Sequence, residues 1–159
     1  MNHSTQPSTL PNSILILGPT GAGKTPLGEV LEKRGLNGHR CRHFDFGNYL
    51  RRCADNDSGI LSADELAVVK KSLSAGTLLE DKHFGIAEKF IAGFIRDNEL
   101  KPNDLIVMNG LPRHTGQATE LYQIINMVAV IILDCTPETA LERIRNDAGG
   151  DRNGRVDDT

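Results

Sequence analysis

Along the chain, short apolar runs alternate with stretches in which apolar residues recur at helical spacing. The runs lie at 13–17, 42–46, 104–108 and 128–134. The first, third and fourth are apolar at nearly every position, the pattern of strands covered on both faces. The second, where Arg42, His43 and Asp45 interrupt Phe44 and Phe46, is a weaker strand signal. Between the runs the pattern predicts helices at 24–34, 48–54, 62–75, 81–97, 115–127 and 136–145. Ser62 with Glu65 reads as a capping box and Gly76 as the stop of the third helix. Thr136 followed by Pro137 reads as the start of the last. Ile86, Phe90, Ile91, Phe94 and Ile95 form one helical stripe, read as core. Strands alternating with helices predict an α/β fold, a parallel central sheet of four strands flanked by helices in three layers.

Directly after the first run comes Gly18-Pro19-Thr20-Gly21-Ala22-Gly23-Lys24-Thr25, at the start of a predicted helix. Glycines let successive backbone N–H groups turn inward around an anion, and the helix N-terminus adds partial positive charge. Gly18, Gly21, Ala22, Gly23, Lys24 and Thr25 are therefore the expected cradle for the phosphates of a nucleotide, which alone does not separate an ATPase from a kinase or a GTPase. Lys24 should reach the β- and γ-phosphates and the Thr25 hydroxyl should ligate Mg²⁺. The bland alternative, an ordinary glycine-rich turn, is disfavoured by the strand before the motif and the helix after it.

Composition narrows the ligand class. Eighteen Lys and Arg against 21 Asp and Glu give a net charge of −3 over 159 residues, too balanced for a protein that grips long nucleic acids. Arginine outnumbers lysine, which suits bidentate capture of small phosphorylated ligands. Cys41, Cys53 and Cys135 show no CxxC spacing, so neither a disulfide framework nor protein-bound zinc is expected. The apolar runs are far shorter than the roughly 18 residues of a membrane helix, and the polar segment 1–12 reads as a flexible lead. A cytoplasmic protein without membrane or nucleic-acid partners is the expectation.

The third strand ends in Asn109-Gly110 and the fourth in Asp134; Arg51 and Arg52 follow the second strand and Arg113 the third. Loops at the carboxyl ends of parallel strands converge on one crevice, so Arg51 and Arg113 should face the site of the phosphate loop. A second phosphate acceptor is the simplest use for them. His43, His83 and His114 read as packing or surface residues rather than general bases.

In this order the motifs resemble the adenylate kinase and nucleoside monophosphate kinase family, whose fold is that of P-loop NTPases. Gly18–Thr25 matches its phosphate loop. The segment from Cys41 to Arg51 is similar to the family segment ending in Gly-Asp-Leu-Leu-Arg. Asn109-Gly110-Leu111-Pro112-Arg113, with Gln117, resembles Asp-Gly-Phe-Pro-Arg-x-x-x-Gln, and Gly154-Arg155-Val156-Asp157-Asp158 resembles the end of the lid. The resemblance implies a kinase domain over 13–159, acceptor-binding helices within 48–95 and a short lid at 148–158. It implies transfer of the ATP γ-phosphoryl group to a nucleoside monophosphate, AMP first, by a monomer using Mg²⁺. Arg51 and Arg113 would hold the acceptor phosphate, with Phe46, Leu79, Gly110 and Gln117 around the acceptor and Gln117 bonded to its base. Lys24, Arg113, Arg143 and Arg155 would surround the transferring group, and Arg152, Arg155, Asp157 and Asp158 would belong to the lid. Asn109 stands where the family has an Asp that orients Mg²⁺ waters, and would act through water. Asp147 stands where it has a second lid arginine, and Phe46 where it has Thr. Family members continue past the lid with a further strand. On that comparison the run at 128–134 becomes an exposed apolar edge, with stability and catalysis reduced. Two alternatives stay open: a kinase of another small anionic metabolite, and a nucleotide-binding protein with weak or no activity.

Overall fold

Four parallel strands in the order β2-β3-β1-β4 form the centre of the molecule. They are β1 (Asn12–Leu17), β2 (Cys41–Asp45), β3 (Leu105–Asn109) and β4 (Asn126–Ile132). The computed structural model describes residues 10–56 and 59–146. The lid at 148–158, with Arg152, Arg155, Asp157 and Asp158, therefore lies outside the described residues, as do Asp147 and most of the lead.

Strand periodicity of two divides the core into two layers of packing. Leu15, Phe44, Ile106 and Met108 point to one side, where they meet Phe84, Phe90, Phe94, Leu121 and Ile125. Ile14, Ile16, Cys41, Leu105 and Val107 point to the other, against Leu27 and Leu31. Helix α1 (Lys24–Arg34) covers the second side. Helices α2 (Phe46–Asp55), α3 (Ala63–Ala75), α4 (Phe84–Asp97) and α5 (Thr115–Ile124) gather on the first, and α6 (Pro137–Asn146) follows β4. The three-layer α/β architecture predicted from the pattern is thus the one observed.

Local chemistry explains most boundaries. The capping box at α3 is complete, with the Ser62 hydroxyl accepting from the Glu65 amide and the Glu65 carboxylate from the Ser62 amide. Gly76 ends that helix in the left-handed region. Phe46, read as the last residue of the second strand, instead begins α2, because the Asp45 side chain accepts the Asn48 amide and caps the helix one residue earlier. The helix expected at 115–127 stops at Ile124; Asn126 then donates its backbone N–H to the Pro11 carbonyl and its side chain to that of Asn12, starting β4. The segment 81–97 is a 3-10 turn (Asp81–His83) running into α4.

The apolar pattern of the fourth strand reads as covered on both faces, whereas the family comparison implies an exposed apolar edge. β4 lies at the edge of the sheet, and among the described residues Val130 is 48% and Ile132 73% exposed, as the second expectation has it. A register shift between Ser13 and Ile14 leaves Val130 opposite Leu15 and Ile132 opposite Leu17, on the face where the aromatic cluster does not extend over β4. Ile131, opposite Ile16, packs into the other side.

At the amino ends of the strands the sheet is fastened by polar groups. Arg40 donates through Nε and Nη2 to the Asp104 carboxylate and through Nη2 to the Glu99 carbonyl, and the Lys101 amide also donates to Asp104. The guanidinium of Arg40 holds the Asp104 carboxyl below the usual carboxylate range.

Helix α1 sits tightly on β2. A Cβ on Gly28 would stand 2.3 Å from the imidazole of His43, whose Nε2 is buried. Burial pushes the His43 pKa down, so the ring is held neutral beneath the helix. Ala normally favours a helix over Gly by roughly 1 kcal/mol, whereas overpacking costs about 1–3 kcal/mol. Gly28→Ala is therefore expected to destabilise the native protein in urea unfolding. In a His43→Ala background the same change should stabilise it. Equal effects in both backgrounds would show that this contact does not limit the helix approach.

Candidate functional site

The loop between β1 and α1 wraps the amino end of α1 at the carboxyl edge of the sheet. Its backbone is committed to this shape: Gly21 has φ 83, and a Cβ there would meet the Ala140 carbonyl oxygen of α6 at 2.6 Å. Gly23 is the residue before the helix and offers no side-chain cap, so its position leaves the amino end of α1 uncovered by an N-cap side chain. The Lys24 ammonium folds back over the loop mouth, donating to the carbonyls of Gly18 and Pro19 at 2.8 Å each. Arg143, one of the expected transfer-site arginines, reaches the same loop from α6, donating to the Ala22 carbonyl at 3.1 Å and to the Gly21 carbonyl at 3.4 Å. An ammonium and a guanidinium are thus brought to one phosphate-sized cradle.

Beside the cradle three polar side chains from three elements interlock. Thr25, in the first turn of α1, donates its hydroxyl proton to Asp45 at the end of β2, 2.9 Å away. Asn109, at the end of β3, donates through Nδ2 to Thr25 Oγ1 at 3.0 Å and to the same Asp45 oxygen at 3.1 Å. In the sequence Asp45 reads only as a polar interruption of the second apolar run. Its partners lie 20 and 64 residues away in the chain, so no local signal could have exposed the arrangement.

A pocket opens next to this cluster between α2, the end of α3 and the segment after β3. Phe46, Arg51, Leu79, Arg113 and Gln117, all predicted acceptor residues, line it together with Gly76 and Leu78. Gly110 has φ 84 and carries the chain past Phe46 into the cis Leu111–Pro112 peptide. Arg113 is exposed and donates through Nε to the Gly110 carbonyl at 2.9 Å. Phe46 is 4% exposed, with its ring 6.2 Å from that of Phe90, so it serves the core and gives the pocket an apolar wall.

Gln117, which the family resemblance places at the acceptor base, lines the pocket and also holds backbone on both sides. It is buried, its Oε1 accepts the Arg113 amide at 2.8 Å, and its Nε2 donates to the Leu79 carbonyl at 2.8 Å. His114 also contacts that carbonyl, through Nε2 at 3.2 Å. Both ends of the Gln117 amide hold backbone, which fixes Arg113 and the segment after α3 at Leu79 relative to each other. His43 lies beneath α1, away from the pocket lining, consistent with its reading as a packing residue.

A glycine loop cradling a helix N-terminus at the mouth of a parallel sheet, with an arginine-lined pocket alongside, defines a P-loop phosphate-binding protein. The model of the AAA domain matches residues 14–158, and the chain belongs to that family. Its sequence is similar to adenylate kinases. One from Haloarcula marismortui is 31% identical over 133 residues, covering 82% of this chain and 55% of the relative. One from Prochlorococcus marinus is 26% identical over 151 residues, covering 92% and 71%. The chain thus spans about half the length of the Haloarcula relative. Among solved structures, a gluconokinase from Sinorhizobium meliloti 1021 aligns with 88% of this chain and 67% of its own, at 16% identity and a TM-score of 0.48. No described helix is long and apolar enough to cross a membrane.

Proposed function

We propose that the chain transfers the γ-phosphoryl group of ATP to a nucleoside monophosphate, with AMP the leading acceptor. The observation that carries this reading is the pocket that Arg51 and Arg113 share beside the phosphate loop. Two anionic ligands could meet end to end there, one on the loop and one on the arginines. Similarity to adenylate kinases over most of the chain supports the same direction.

In phosphoryl transfer the protein acts mainly through positioning and through charge placed around the reacting oxygens. Lys24 and Arg143 would stabilise charge on the donor side, and Arg51 and Arg113 would hold the acceptor phosphate. Phe46 and Leu79 supply the apolar wall for the rest of the acceptor, while Gln117 keeps Arg113 in place. The helices within 48–95 form the acceptor half, and the segment 148–158, with Arg152, Arg155, Asp157 and Asp158, is proposed as the lid of a monomeric enzyme. Hard oxygen donors at the loop, the Thr25 hydroxyl foremost, fit Mg²⁺ carried by ATP. When bound it would neutralise phosphate charge.

A coupled assay with ATP and a panel of nucleoside monophosphates tests the proposal, with turnover of AMP above the others as the expected result. A second reading has one observation in its favour. Both ends of the Gln117 amide already hold backbone, which leaves one N–H and one lone pair for the base contact that the nucleotide reading assigned to it. Phosphorylation of a sugar acid, with no nucleoside monophosphate turned over, would establish a kinase of another small anion instead.

A further inference from the structure

We infer that Asp45 supplies the protein carboxylate for Mg²⁺ beside the phosphate loop, and that Asn109 is its positioning residue. The inference rests on the reading of the loop as an ATP phosphate site. It moves the metal-facing charge from the end of β3, where Asn109 stands, to the end of the neighbouring strand β2.

Charge is the first argument. Among the described residues, the groups bonded to Asp45 are a hydroxyl, a carboxamide and a backbone amide, all neutral, and none of the ion pairs includes it. A half-buried carboxylate that touches the phosphate-loop threonine would repel a polyphosphate held by that loop. A divalent cation between the two anions reverses the sign of that interaction. The location of Asp45 is therefore unfavourable for bare ATP and favourable for ATP with its metal.

Hydrogen-bond capacity is the second. A threonine hydroxyl has one proton and two acceptor positions. The proton of Thr25 goes to Asp45 and one acceptor position is filled by Asn109 Nδ2, which leaves one lone pair for a cation. The Asp45 carboxylate has about four acceptor positions. Thr25 and Asn109 occupy Oδ2 and the Asn48 amide occupies Oδ1, so capacity remains for a metal or its water. Both oxygens are aimed by the protein before any ligand arrives, as a metal-facing group needs to be.

Asn109 completes the logic. Asp45 and Asn109 are register partners on adjacent strands, and 3.1 Å separates the Asp45 oxygen from Asn109 Nδ2. Two carboxylates at that spacing would repel, and one would tend to take up a proton. With an amide at 109 the pair carries a single charge, and the amide nitrogen orients the carboxylate that holds it.

Calorimetry of ATP binding with Mg²⁺ and with EDTA reads this directly, without requiring turnover. The wild type should bind ATP more tightly with Mg²⁺. In Asp45→Asn and Asp45→Ser, both good helix caps that keep the start of α2, the gain from Mg²⁺ should fall by roughly 10–100-fold. Their affinity for metal-free ATP should be equal or higher. Asp45→Asn/Asn109→Asp, which returns one carboxylate to the pair, should recover part of the gain. A wild-type metal gain in both single variants overturns the assignment of Asp45 alone and leaves the ATP reading standing. No ATP binding by the wild type in either condition overturns both. A double variant no better than Asp45→Asn overturns the positioning role of Asn109.

Discussion

Lys24→Ala is expected to lower phosphoryl transfer by at least about 10²–10³-fold, the loss usual when one preorganised donor to a reacting anion is removed. The ammonium lies over the loop mouth on the carbonyls of Gly18 and Pro19, where it adds the full positive charge that the backbone N–H groups lack. Pro19 is exposed and Gly18 half-buried, so their carbonyls can turn to water and the fold should be kept, with unfolding free energy within about 0.5–1 kcal/mol of the wild type. Steady-state turnover with the best acceptor and a urea melt would measure the two effects separately. Near-normal turnover in Lys24→Ala would remove the loop from the mechanism, whereas an unfolded variant would make Lys24 a structural residue.

Gly21→Ala should produce the largest loss of stability, about 2–4 kcal/mol. Two costs combine. Placing a Cβ on a residue with φ 83 costs roughly 1–2 kcal/mol, and pressing it into a packed neighbour costs about 1–3 kcal/mol. The neighbour is the backbone of α6 at Ala140, with the carbonyl carbon and Cα at 3.1 Å behind the oxygen, so relief requires the helix itself to move. Arg143 rides on that helix and would be drawn away from the Gly21 and Ala22 carbonyls, so ATP affinity should fall together with stability. Gly23→Ala is the control. Its φ of 96 carries the backbone cost, but the nearest atom to a Cβ there is Arg143 Nη1 at 3.8 Å. Urea unfolding should rank Gly21→Ala well below Gly23→Ala, and an equal loss would mean that backbone conformation alone, not the seat of α6, sets the requirement for glycine.

The fold was legible in the chain because its signals are local. Residues 24–34 read as a helix from an adjacent motif, and the α3 boundaries followed from Ser62, Glu65 and Gly76 within one turn of each end. The strand–helix join at Phe46 was misjudged by one residue because Asp45 acts as a cap, a role that an aspartate inside an apolar run does not announce. Exposure of β4 could not be read from its apolar pattern, which does not show the helices that reach it, but was implied by the family resemblance. In the site, the loop residues could be named from spacing, and the two arginines of the pocket from their place after β2 and β3 together with the family resemblance. The purposes of Asp45, Asn109 and Gln117 could not, since each is defined by partners on other elements. Arg143 is bonded to carbonyls more than a hundred residues earlier, although its membership of the site followed from the family resemblance.

The ionic clasp of Arg40 and Asp104 at the amino ends of β2 and β3 has a consequence for how this domain can change. It joins those strands with groups that no ligand near the phosphate loop can reach, and Asn12 with Asn126 does the same for β1 and β4. The strands are therefore held at one pole of the sheet by groups separate from those proposed for chemistry at the other. Residues at the working pole, Asp45 and Asn109 among them, can be exchanged or traded between strands while the framework beneath them stays closed. A domain divided in this way can acquire a new acceptor by altering its upper loops, because none of those loops is needed to keep the strands together at their lower end.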